Sequence, residues 1–196
     1  MARFFSKAAI AAVIGCMGTV AHADVLNFDN LGAGFGWFTA NYQGFKFGTN
    51  SAATNAWFYT SDPSPFYTPK SGTVYVATDF QLYSGGLWDD TQPITNTVDF
   101  RFDGAWFSGG DQVRYKLFND GMLVHTSADS VVLGRTPAWV PSGYMGFIDS
   151  VVVVGRQGYY AMDDFTYAPV PEASSLAMLS VGLLTLGAVI RRRRAS

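Results

Sequence analysis

Few of the 196 residues carry side chains able to make or break bonds. The single cysteine, Cys16, and one of the two histidines, His22, lie near the start, and the only glutamate is Glu172 near the end. Residues 24–170 hold 14 of the 15 acidic side chains, all Asp, against 7 of the 13 basic ones, for a formal charge near −7. A Cys/His zinc centre and a cysteine nucleophile are thereby excluded from that stretch. A hydrolase would have to work with two Asp and no Glu. The acidic balance also argues against nucleic acid, since phosphate contacts need a basic surface. Trp88-Asp89-Asp90, after Gly85-Gly86, could stack an aromatic face on a sugar ring while the carboxylates accept its hydroxyls. The alternative is a solvated loop with Trp88 at the edge of the core, because large aromatics are commonly buried. Trp37, Trp57, Trp106 and Trp139 read as core for the same reason. Gly32-x-Gly34-x-Gly36 is no phosphate loop, as neither a Lys nor a helix follows it. His125 could serve as a general base only if an Asp and a Ser met it in space.

The elements that must position these residues read as strands. Period-two alternation is clearest in residues 97–103, where Val98, Phe100 and Phe102 face one way and Asp99, Arg101 and Asp103 the other. Residues 112–118 repeat it, Asp120-Gly121 supplies a tight hairpin turn, and residues 122–126 return. That register sets Leu117 opposite Val124 and Lys116 opposite His125, leaving His125 solvated. Residues 148–154 are apolar on both faces and predict a central, covered strand. Residues 161–167 predict the closing strand. Weaker strands fall at 25–28, 44–47, 56–60, 73–77, 80–83 and 131–133, with a loop over 60–72 marked by Pro63, Pro65 and Pro69. Turn signals every 8–12 residues or so favour a sandwich over a parallel sheet. The expectation is an all-β body, a single antiparallel β-sandwich over residues 24–168.

The two ends read as addresses. Arg3 and Lys7 precede an apolar run at 8–20, and Ala21-His22-Ala23 precedes Asp24, the pattern of a secretory signal peptide over 1–23 with cleavage between Ala23 and Asp24. The implied partners are the Sec translocon and signal peptidase. At the other end, residues 169–196 contain Val170, Pro171, Glu172 and Ala173. An uncharged segment suited to a transmembrane helix follows at about 174–190, and Arg191, Arg192, Arg193 and Arg194 come after it. Arginine marks the cytoplasmic side, which places the body outside.

This three-part tail resembles the PEP-CTERM sorting signal of bacteria that make exopolysaccharide, although Ala173 stands where the motif has its second Pro. The resemblance implies an exosortase-type membrane protease as partner, a transient anchor in the inner membrane, and delivery to the cell envelope or exterior. Leu26-Asn27-Phe28-Asp29-Asn30-Leu31, Tyr42-Gln43-Gly44-Phe45, Phe147-Ile148-Asp149-Ser150-Val151 and Ala161-Met162-Asp163-Asp164-Phe165 further resemble segments of sorted proteins with galactose-binding-like jelly-roll bodies. Modules of that shape often hold a structural calcium between their first and last strands. The resemblance thus nominates Asp29, Asp163 and Asp164 as its oxygen ligands; the alternative is that they cap turns or sit on the surface. The functional expectation is an exported, non-enzymatic protein with a structural or adhesive role in the exopolysaccharide matrix. A glycan-binding module using Trp88, Asp89 and Asp90 is the second reading. A polysaccharide hydrolase using Asp89, Asp90 or Asp149 is a distant third.

Overall fold

β-branched and aromatic residues dominate the segments that pair, and Gly, Pro, Asn and Asp the segments between them, so the chain makes strands with little helix. The computed structural model describes residues 22–48, 57–78, 88–89, 92–156, 158–170 and 180. The expected signal peptide through Ala21, Pro171, Glu172, Ala173, the apolar tail segment, the four terminal arginines, Asp90 and the strand expected at 80–83 lie outside the described residues. Among the described residues no helix is long and apolar enough to cross a membrane.

Twelve strands are described: β1 (Asp24–Leu26), β2 (Phe35–Trp37), β3 (Phe45–Phe47), β4 (Trp57–Thr60), β5 (Tyr75–Thr78), β6 (Trp88–Asp89), β7 (Pro93–Gly109), β8 (Val113–Asn119), β9 (Met122–Thr126), β10 (Ala138–Pro141), β11 (Ile148–Arg156) and β12 (Tyr160–Pro169). A single 3₁₀ turn, Asp29–Leu31, follows β1. All pairings are antiparallel and join one sheet in the order β2-β4-β5-β12-β7-β11-β8-β9; β1 is added to β12, β3 and β10 to β7, and β6 to β11. The 17-residue β7 is the spine. Its first half pairs with β3 and β11, and its second half with β12 and β10.

The core is aromatic. Trp57, Phe45, Phe47, Phe100, Phe102, Phe107, Tyr115 and Phe165 are fully buried. Phe165 of β12 stacks on Phe102 of β7 with centroids 4.5 Å apart, and meets Phe45 of β3 edge-on at 5.4 Å. Tyr115 of β8 stands edge-on to Phe102 at 4.9 Å, and its hydroxyl donates to the Val140 carbonyl at 2.9 Å, so a polar handle is buried with a partner.

β11 is central, as expected: β7 and β8 flank it, and Val151–Val154 are buried on both faces. Three details differ from expectation. Val98 is 57% exposed, because β7 and β11 slip out of register between Phe100 and Thr95, and the Asn96 carboxamide accepts the Val98 N–H at 3.1 Å. The local turn breaks the alternation. In the hairpin, Asn119 faces Met122 and Phe118 faces Leu123, but a bulge at Val124 then sets Leu117 opposite His125 and Lys116 opposite Thr126. His125 accordingly stacks on Tyr144 at 5.3 Å instead of lying free in solvent. Residues 131–133 form no strand; the segment follows β8 through the single bonds Ser130 N–H to Val113 O and Leu133 N–H to Asp111 O.

Candidate functional site

The segment joining β4 to β5, residues 61–74, carries Pro63, Pro65 and Pro69, which lack the N–H a strand ladder needs, and it bends at 65–66 and 70–73. It crosses the outer face of the sheet as a strap. Thr68 exchanges two hydrogen bonds with the Ser108 hydroxyl, donating its N–H at 3.0 Å and accepting at its carbonyl at 2.9 Å. The Tyr67 hydroxyl donates to the Gly158 carbonyl, and burial pushes its pKa up to about 12. The Lys70 ammonium sits 4.1 Å over the Trp106 ring.

The three nominated calcium ligands all converge on this strap. Asp163 accepts the Ser71 N–H at 2.8 Å, Asp164 accepts the Ser71 hydroxyl at 2.9 Å, and Asp29 accepts the Thr73 N–H at 3.2 Å. Adjacent strand residues normally point to opposite faces. Here a bulge in β12, with Asp164 at φ 48°, turns both carboxylates toward Ser71. The other Asp163 oxygen accepts the Asp164 N–H at 2.7 Å. Asp163 is 2% exposed. Burial raises its pKa to about 7, against the opposing pull of the Ser71 N–H, with Asp164 adding to the rise.

The sequence thus brought the right carboxylates to one place, but in a different role. Their oxygens are aimed at strap N–H and O–H groups, and among the described residues no three acidic or His side chains form a group able to hold a metal ion. Each of the three carboxylates is tied to the strap, so together they latch it to the sheet.

Trp88 and Asp89 do not sit in a loop: they form β6, paired with Arg156 and Gly155 of β11. The short apolar-acidic pair gave no alternation from which a two-residue strand could be read. His125 has a buried Nε2 without a hydrogen-bond partner among the described residues, and no triad forms around it: Ser127 and Ser142, its neighbours in a cleft of about 360 Å³, bind backbone groups.

Sequence reasoning missed an aromatic face on the outside of β2, β4 and the strap. Phe35, Trp37 and Phe58 form a mutual cluster, with centroids 5.3, 5.3 and 5.8 Å apart. Phe35 is 55% exposed, and Trp37 and Phe58 are half-buried. Phe58 also walls a cleft of about 250 Å³ with Phe66 and Tyr67 of the strap, and Phe66 is 68% exposed. Of the four tryptophans expected in the core, only Trp57 is there. Trp37 and Trp106 are half-buried on the outer face, and Trp139 is exposed and packs on Trp106 at 5.9 Å. The signal was present in Trp57-Phe58-Tyr59: three consecutive rings in a strand cannot all point inward.

The site therefore offers stacking surfaces and hydrogen-bonding groups. No family model matches the chain, and no curated protein or solved structure was found similar to it.

Proposed function

We propose that the chain is an exported, non-enzymatic envelope or matrix protein whose body, residues 24–168, is a two-layer sandwich of jelly-roll type carried between a cleaved signal peptide and a PEP-CTERM-like tail. One observation carries this reading. β1 opens at Asp24, where the expected mature chain begins, and β12 closes at Pro169, beside the tail motif. The two strands pair with Asp24 opposite Tyr167, so both ends of the body leave from one place on the sheet. Such a body can face a single bilayer while tethered at either end, and can be released by cuts at both without disturbing the core. The sandwich reading is supported by rings that meet across the two halves of the sheet, Tyr115 against Phe107 and Phe45 against Phe165.

Expression of the full chain in an exosortase-bearing bacterium, followed by fractionation and mass spectrometry of both termini, tests it. The expected product starts at Asp24, lacks the arginine cluster and is found outside the inner membrane. Pro171→Ala with Glu172→Ala should leave the tail attached and the protein in the membrane fraction. Uncut chain in the cytosol would overturn the reading.

A second reading, a glycan-binding module, is favoured by the outward-facing aromatic cluster of Phe35, Trp37 and Phe58. Rings left in water cost about 25 cal/mol per Å² of apolar surface, which a ligand would recover.

A further inference from the structure

We infer that the outer face of β2 and β4 together with the strap is a binding site for a neutral polysaccharide, with Tyr67 dividing a stacking subsite from a hydroxyl-binding one. The inference rests on the second reading above and names its site and ligand class. On one side of Tyr67 lies the cleft of about 250 Å³ lined by Phe58, Phe66, Tyr67, Ala77, Gly158 and Tyr160, with no charged side chain among the described residues. On the other side lies a cleft of about 290 Å³ whose lining includes Ser61, Asp62, Thr68, Thr73 and Arg135. The first runs onto the Phe35–Trp37 platform through the shared Phe58 ring.

Each cleft is smaller than the pocket a drug-sized ligand needs, and they lie side by side, which suits consecutive rings of a chain. A pyranose has one face of C–H groups and a rim of hydroxyls. The C–H face carries partial positive charge that complements the negative face of an aromatic ring. The hydroxyl rim needs carboxylate, hydroxyl and carbonyl partners, which the second cleft holds. An aliphatic lipid or peptide surface would leave that polar cleft unsatisfied. In the polar cleft the Asp62 carboxylate and the Arg135 guanidinium offset each other, so that cleft has no net charge to attract a polyanion, which would also meet a body of net charge near −7. Tyr67 is fixed between the clefts by its bond to Gly158 and by Tyr75, 5.9 Å away, so the divider is ordered before ligand arrives.

The test is affinity electrophoresis of the full chain, held in detergent, through gels containing hydroxyethylcellulose, dextran, laminarin or, as the anionic control, alginate. Retardation is expected with at least one neutral polymer and not with alginate, and it should be insensitive to salt. Phe66→Ala and Phe35→Ala should each weaken it roughly tenfold, and Asp62→Asn by a smaller factor. Phe66 and Phe35 are exposed, so these variants keep the fold, checked by circular dichroism. Titration with a retarding oligosaccharide should shift tryptophan emission, and Trp37→Phe should remove the shift. Retardation that survives unchanged in Phe66→Ala and Phe35→Ala overturns this site while the glycan-binding reading stands. Retardation by alginate alone overturns the neutral class, and none with any polymer overturns site and reading together.

Discussion

The two faces of β4 and β12 put the same residue types to opposite uses. Inward, Trp57 and Phe165 are fully buried and meet other rings on several sides. Outward, Phe58 is half-buried in an open cluster, while Asp163 is sealed under the strap. Inside, rings are held by mutual exclusion of water. Outside, the strap decides residue by residue which side chains are wet. Where it lies flat it buries even a carboxylate, and where it lifts at Phe66 it leaves aromatic rings exposed. Burial on the outer face therefore follows the path of one loop and not the hydrophobicity of the residues beneath it.

That contrast can be broken by substitution. Phe165→Ala should be the most damaging change, costing about 3–5 kcal/mol in denaturant unfolding, because a fully buried ring leaves a cavity its neighbours cannot fill. Next comes the latch. The pKa of Asp163 rises from 3.8 unfolded to about 7 folded. The folded state then holds a proton that the unfolded chain has lost, so its stability contribution is complete below the unfolded value and disappears as pH rises through the folded one. Stability should fall by up to about 4 kcal/mol between those limits. Asp163→Asn should flatten the pH profile, and because the amide retains one acceptor for two N–H donors, it should also lower stability by about 1–3 kcal/mol where Asp163 is protonated.

Gly104 offers a third test. It lies in β7 at φ 143°, between β12 and β10, and a Cβ there would strike the Val140 carbonyl. Gly104→Ala should cost roughly 1–3 kcal/mol, read as a drop in Tm. The smallest effects belong to the open face: Phe66→Ala and Phe35→Ala should stay within about 0.5 kcal/mol of the parent. A loss from Phe66→Ala as large as that from Phe165→Ala would show that the outer rings are a second core, and the distinction between faces would fail.

How much of this was legible depended on how far each feature reaches along the chain. The all-β character, the central β11 and the Asp120-Gly121 turn follow from local alternation and turn chemistry, and they stand. The register beyond that turn was misread. A bulge at Val124 costs little locally, and it places His125 against Tyr144, nineteen residues away, a contact that local alternation does not encode. Val98 escaped for the same kind of reason: its pattern is that of a buried strand residue, but β7 changes partners around it. Asp29, Asp163 and Asp164 were identified as a group, while their common partner, the Ser71–Thr73 backbone, leaves no trace in a pattern of carboxylates.

Residue order alone determined that this chain would make strands, where most of them would lie, and that its acidic body holds no thiol and a single imidazole, His125. Those properties arise from side-chain periodicity and composition, which act over a few residues. Only the tertiary structure decided that three prolines carry a strap over the sheet, and that this strap buries one aspartate and spares a row of rings. Such outcomes depend on contacts between segments as far apart as Ser71 and Asp163, whose pairing no local signal encodes.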